Sequence, residues 1–173
     1  MAAGDTSLSI CSDALILLGA APISSFTEGS DAAQACDRLY PDVRDTLISN
    51  YLWSWSVQKQ QLGRLSTVPV DEWKYAYQLP GDMLSGVIAL FQSSGLGQQP
   101  VRYGWEIYGD QIYTNFEEVF VDYQASVAES RMPNYFVRLL RTAVASELAF
   151  VITDQVSKAD YFRALAYGSQ ADS

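Results

Sequence analysis

The chain has 173 residues, 49% of them apolar and 13% aromatic, with a formal charge of -9 and no histidine. That apolar content can fill a real core, so disorder is not the default reading. The acidic balance argues against neutralising a nucleic-acid backbone, and the missing imidazole excludes Ser-His-Asp and Cys-His chemistry and removes the commonest metal ligand.

The first predicted element is a helix over residues 6–18. Leu8, Cys11, Leu15 and Leu18 form one stripe, which Ile10, Ala14 and Leu17 widen. Thr6 or Asp5 suits its N-cap, Gly19 fits just past its end, and Pro22 blocks continuation. A second helix is expected from Ser30 or Asp31 to about Tyr51, with Cys36, Leu39 or Tyr40, Val43, Leu47 and Tyr51 at helical spacing. Pro41 falls inside it and is expected to kink or divide it. Cys11 and Cys36 both lie on these apolar stripes and read as small buried hydrophobes. No secretory leader opens the sequence, so folding in a reducing cytoplasm is expected and a disulfide has no support.

Trp53-Ser54-Trp55-Ser56 suits an extended turn or a helix end. From there to about Val70 periodicity is lost, and Gly63, Ser66, Thr67 and Pro69 mark a loop. The middle third reads as strands. Trp73, Tyr75 and Tyr77 alternate with polar or small residues, and Leu79 to Asp82 is a turn. Gly86 to Phe91 is a short apolar run, followed by a Gly- and Gln-rich loop over 93–100. Residues 105–108 and 111–114 form a predicted hairpin about Gly109-Asp110. Val119, Val121 and Tyr123 supply one more strand. Pro133 then opens a third long helix whose apolar face carries Phe136, Leu139, Leu140, Ala143, Val144, Leu148 and Val151. Lys158 to Tyr167 is a short helix candidate, and 168–173 is a polar tail.

The pattern predicts an α+β protein. N- and C-terminal helices (1–62 and 130–167) make a helical bundle, and a small antiparallel β-sheet or hairpin region (70–125) is inserted between them, all within one domain.

No phosphate loop is present, since Gly95-Leu96-Gly97 and its flanks match neither nucleotide pattern, so no cofactor is expected. The catalytic option that remains is a carboxylate pair drawn from Glu117, Glu118, Asp122 and Glu129. On a strand, Glu118 and Asp122 share a face, but a glycosidase needs its two carboxyl groups about 5–10 Å apart in one cleft. A solvated sheet face is the simpler account. Arg131, Arg138 and Arg141 bracket and line the third helix, with Arg138 and Arg141 on one face. They suit contacts to carboxylates of a neighbouring subunit, or plain solvation. In the hairpin region Tyr103, Trp105 and Ile107 fall on one side, Tyr108 and Tyr113 flank the turn, and the tip at Asp110 is expected to project. Subunit contact and core packing both remain open for these aromatics.

Several segments, taken in order, carry a family resemblance. They are Ile10-Cys11-Ser12-Asp13-Ala14-Leu15, Pro22-Ile23-Ser24-Ser25-Phe26, Val43-Arg44-Asp45 and Trp53-Ser54-Trp55-Ser56. Tyr75-Ala76-Tyr77-Gln78-Leu79-Pro80-Gly81-Asp82, Ile112-Tyr113-Thr114-Asn115, Val121-Asp122-Tyr123 and Ser146-Glu147-Leu148-Ala149 complete the series. Together they span about residues 8–150 and resemble the tail tubular protein A, or head-to-tail adaptor, family of short-tailed bacteriophages. Where that family carries a basic cluster after its tryptophan motif, this chain has only Lys59. The resemblance implies a structural virion protein with no catalytic role, made in the host bacterial cytoplasm. Such a protein forms a homo-oligomeric ring of about twelve copies. The ring docks between the phage portal protein and the tail nozzle protein, and genomic DNA passes through its lumen without specific binding. On this reading Lys158, Tyr161, Phe162, Arg163 and Tyr167 face the portal. Tyr103, Trp105, Tyr108, Asp110 and Tyr113 meet the nozzle or a neighbouring subunit, and Arg138 and Arg141 lie between subunits. The alternative is a carboxylate-based peptidoglycan hydrolase carried in the virion.

Overall fold

The computed structural model describes residues 5–153 and 156–168. Among them the chain is α+β, with four α-helices and two small antiparallel three-stranded sheets. It divides into two compact units. One takes the chain up to Leu47 and again from Val127 onward, and the other is Ile48–Ser126. The stretch from Ile48 to Leu62, expected to join the helical part, therefore belongs to the β unit.

The helical unit begins with α1 (Ser7–Leu18). Thr6 is its N-cap. The Thr6 side chain accepts the Ser9 N–H at 3.1 Å while the Thr6 N–H donates to Ser9 Oγ at 2.9 Å, satisfying two otherwise orphaned donors. Helix α2 (Asp31–Ser49) is capped by Ser30, whose hydroxyl accepts the Ala33 N–H at 3.2 Å. It runs through Pro41 without dividing, contrary to one of the expectations for that residue. Pro41 lies on the exposed side, where water can satisfy the Asp37 carbonyl that has lost its donor. Helix α3 (Asn134–Ile152) follows Pro133, and α4 (Val156–Tyr167) completes the unit. The core of this unit is the periodic one: Ile10, Cys11, Ala14 and Leu15 from α1, Cys36 and Tyr40 from α2, and Phe136, Leu140, Val144 and Leu148 from α3. Helix α1 packs on α3, and α3 packs on α4. Val151, expected on the apolar face of α3, is exposed, because α3 has turned that side outward by its last turn.

The β unit opens with a short 3-10 turn at Ser54–Ser56, then β1 (Val57–Gln61), β2 (Tyr75–Gln78), β3 (Met83–Phe91), β4 (Trp105–Tyr108), β5 (Gln111–Thr114) and β6 (Phe120–Ala125). The sheets run β1-β6-β3 and β2-β5-β4. Strand β1 was not expected, and β3 starts three residues early and carries two register shifts against β6. Trp73 lies outside β2, which begins at Tyr75. Val119, Val121, Tyr123 and Ala125 all point inward, as their alternation predicts. They meet Tyr77, Leu79, Leu90 and Ile112 in one apolar cluster shared by both sheets.

Two glycines are required where they stand. Gly109 (φ +60) makes the tight turn that joins β4 to β5. Gly104 (φ +84) has the Phe116 ring 3.1 Å from where a Cβ would sit.

Candidate interaction surfaces

The register of the β4–β5 hairpin sorts its aromatic residues. Trp105 pairs with Thr114 and Ile107 with Ile112, while Glu106 pairs with Tyr113 and Tyr108 with Gln111. Opposed residues share a face: Trp105, Ile112 and Thr114 pack toward the core while Ile107 on the same face stays 44% exposed, and the second set looks to solvent. Trp105 is accordingly half-buried against the core, and its indole N–H donates to the Val101 carbonyl at 3.1 Å. Its chief role is internal packing. Tyr108 and Tyr113 meet as a tilted pair with ring centroids 4.9 Å apart on the outer face, and the Tyr108 hydroxyl donates to Glu106. That contact holds the Tyr108 hydroxyl above its ordinary range. Tyr103 precedes the strand and is 84% exposed. The tip is anchored: Gln78 Nε2 donates to the Asp110 carboxylate at 2.9 Å and to its carbonyl at 3.0 Å. Asp110 therefore does not project freely, because the neighbouring strand β2 holds it.

Beside this face Leu65 donates its N–H to the Ala76 carbonyl at 2.8 Å, and the segment Leu65–Val70 lines a groove of about 430 Å³ with Ala76, Gln78, Gln111 and Tyr113. Its far end exposes Val68 and, completely, Val70. Asp71 and Glu72 follow directly and are also exposed. Sequence reasoning gave this loop no role. The signal was there in two valines flanking a proline with two acids after them, at a point where the chain has no periodicity to bury them.

The two arginines of α3 part company. Arg141 binds Asp13 of α1 at 2.9 Å, so it ties α1 to α3 within the chain instead of waiting for a neighbour. Arg138 is exposed, and among the described residues no carboxylate pairs with it. It stands on a ridge between two depressions. One, about 320 Å³, is lined by Tyr135, Leu139, Thr142 and Leu165, and the other, about 400 Å³, by Asp5, Asn134, Val137 and Arg141. Arg131 is exposed in the turn before α3.

The C-terminal set is likewise split. Phe162 is buried within the helical unit, and Lys158 donates to the Leu18 carbonyl at the end of α1 at 3.2 Å, so both hold α4 in place. Tyr161, Arg163 and Tyr167 face outward. Helix α4 lies on α3, with Ala159 and Phe162 buried. Of the segment 154–173, residues 154–155 and 169–173 lie outside the described residues.

The carboxylates do not gather as a strand pair would. Glu117 and Glu118 lie in the turn before β6, and Asp122 is bound to Lys59 of β1 at 2.8 Å. Glu129 accepts from the Tyr40 hydroxyl at 3.0 Å and from Arg44 at 3.5 Å. Burial, with Glu129 alongside, pushes the Tyr40 hydroxyl far above its usual range. Cys11 and Cys36 are both free and fully buried, and the hydrogen bond between them, together with burial, holds the Cys11 thiol protonated.

No helix among the described residues is long and apolar enough to cross a membrane. No protein-family model matches the chain, and no curated protein matches it.

Proposed function

We propose that this chain is a structural ring adaptor of a short-tailed bacteriophage, joining the portal to the tail nozzle in the neck of the virion. The observation that carries this reading is the display of large apolar side chains to solvent on both units. Tyr103, Val70 and Leu96 do so on the β unit, and Tyr135, Phe150 and Tyr161 on the helical unit. In this reading those groups are covered in the assembly. A subunit that touches a neighbour on either side, a portal and a nozzle needs several such surfaces at once. In this reading the helices act as a bundle that builds a ring of about twelve copies. Tyr161, Arg163 and Tyr167 on α4 meet the portal, and Tyr103, Tyr108 and Tyr113 meet the nozzle or a neighbour. The net charge of -9 suits a lumen through which DNA slides without adhering.

Electron microscopy of the purified protein with its cognate portal ring tests the ring. The portal side is tested by substitution, since deleting α4 would also remove its packing on α3. The pair Tyr161→Ser and Arg163→Glu should abolish portal docking while leaving the fold intact. Docking at wild-type concentrations would move the portal contact elsewhere on the chain.

A further inference from the structure

Two surfaces of this chain complement one another. The first is the exposed loop Val68-Pro69-Val70-Asp71-Glu72 of the β unit. Val70 is completely exposed and Val68 is 67% exposed, so neither contributes to the chain's own core. Asp71 accepts the Trp73 N–H on one carboxylate oxygen at 3.2 Å, and Asp71 and Glu72 are both exposed. The second surface is the ridge at Arg138 on the helical unit. On one side of the ridge lies the depression between α3 and α4, walled by Tyr135, Leu139 and Leu165, of which Tyr135 and Leu165 are more than half exposed. On the other side lies the depression lined by Asp5, Asn134, Val137 and Arg141, where one acid and a second arginine flank Arg138.

We propose that the loop at Val70 of one copy seats in the α3–α4 depression of the next copy, with Asp71 and Glu72 paired to Arg138. This deepens the ring reading and rests on it. The spacing fits, because consecutive residues are about 3.8 Å apart at Cα, so a valine in the apolar depression puts the following acids beside a guanidinium on its rim. The charges fit as well. Arg141 is already held by Asp13, which leaves Arg138 as the cation facing the incoming acids. The apolar and charged halves are needed together. A valine alone would bind any apolar patch, and an exposed ion pair alone is worth little. A guanidinium desolvated beside a filled apolar pocket gives both affinity and register.

The two surfaces are different patches of the same chain, so the contact is heterologous. Repeating it gives a closed ring when the rotation per copy divides the circle, and an open filament otherwise. A loop of this size is an anchor within a larger interface, since stable interfaces bury well over about 1,000 Å².

A charge-swap cycle tests the pairing. Arg138→Glu alone, and Asp71→Lys with Glu72→Lys alone, are each mixed with cognate portal rings, and closed collars are counted by electron microscopy. Each set should raise the concentration needed for collars by about tenfold or more, since close charge pairs across interfaces carry coupling of that size. Combining all three substitutions should restore most of the loss. Val70→Ser, at a side chain with no internal contact to lose, should weaken collars while leaving thermal unfolding unchanged. Collars at wild-type concentration in the single sets, or no recovery in the combination, would overturn this contact and leave the ring itself standing. An absence of collars with the unaltered protein would instead remove the ring reading on which the pairing rests.

Discussion

The helical unit and the β unit hold themselves together differently. The helical unit relies on apolar stripes: every residue named in its core except Tyr40 is aliphatic, Cys or Phe. The β unit is small, and buried polar groups carry much of its specification. Gln124 is 1% exposed, and its Nε2 donates to the carbonyls of Ile48 at 2.6 Å and Tyr51 at 2.8 Å, with Ser56 Oγ 3.0 Å away. Ser85 Oγ donates to its Oε1 at 3.2 Å. One side chain thereby ties the end of α2 and the chain beyond it to β6. The Tyr77 hydroxyl donates to the Phe116 carbonyl at 2.8 Å, and the Thr114 hydroxyl to the Gly104 carbonyl at 2.6 Å. The contrast teaches that burial sets the stability of one unit, while hydrogen-bond geometry sets the loop positions of the other. The hub at Gln124 fixes where the chain after α2 meets β6 and β3.

The comparison can be broken most forcefully in the helical unit. Phe136 is fully buried, and Phe136→Ala should cost about 3–5 kcal/mol through lost burial and the cavity left behind. Chemical denaturation measures the loss, and hydrogen exchange resolved by residue should place it first in α1 and α3. Next comes the hub. Gln124→Leu keeps volume but removes the side-chain donor to the Ile48 carbonyl, while the Tyr51 carbonyl keeps the Trp53 N–H, at about 1–3 kcal/mol. A loss below about 0.5 kcal/mol would show that the β unit does not depend on this side chain.

A smaller effect appears at alkaline pH, where the helical unit carries a raised hydroxyl of its own at Tyr40. The Tyr123 hydroxyl lies 2.9 Å from Gln60 Oε1 and 3.0 Å from Asp82 Oδ1, and burial together with Asp82 raises it to about 12. A group raised in the folded state contributes stability that is fully present below its unfolded value, near 10, and that fades as pH rises through 12. The β unit should therefore weaken between pH 10 and pH 12. Tyr123→Phe should cost about 1 kcal/mol at neutral pH and flatten that alkaline decline. Urea melts at stepped pH, followed by tyrosine absorbance, measure both. The smallest effect is at the first cap, where Thr6→Ala should cost about 0.5–1 kcal/mol and fray α1 locally.

The sequence and the fold agree best where structure is local. Helix α1 and its Thr6 and Gly19 ends, the inward face of β6, and the hairpin at Gly109 follow from period and turn chemistry that neighbouring residues carry. Strand β1 was invisible for the opposite reason. Val57-Gln58-Lys59-Gln60-Gln61 has no alternation and gains its order from β6, with Lys59 bound to Asp122 and Gln60 beside the Tyr123 hydroxyl. Partners so far away along the chain leave no local trace. The same limit applied to the candidate surfaces. Arg138 and Arg141 look alike on a helical wheel, yet Asp13 takes one and leaves the other. Phe162 and Tyr161 are adjacent, yet one is core and the other surface. The loop at Val70 was legible only as an absence of pattern.

The central claim is the ring, and imaging the purified protein mixed with its cognate portal ring tests it most directly. A closed, symmetric collar of added density against one end of the portal is the predicted result, and it would count the copies. Well-folded protein that leaves the portal unchanged at saturating concentration would contradict the adaptor assignment.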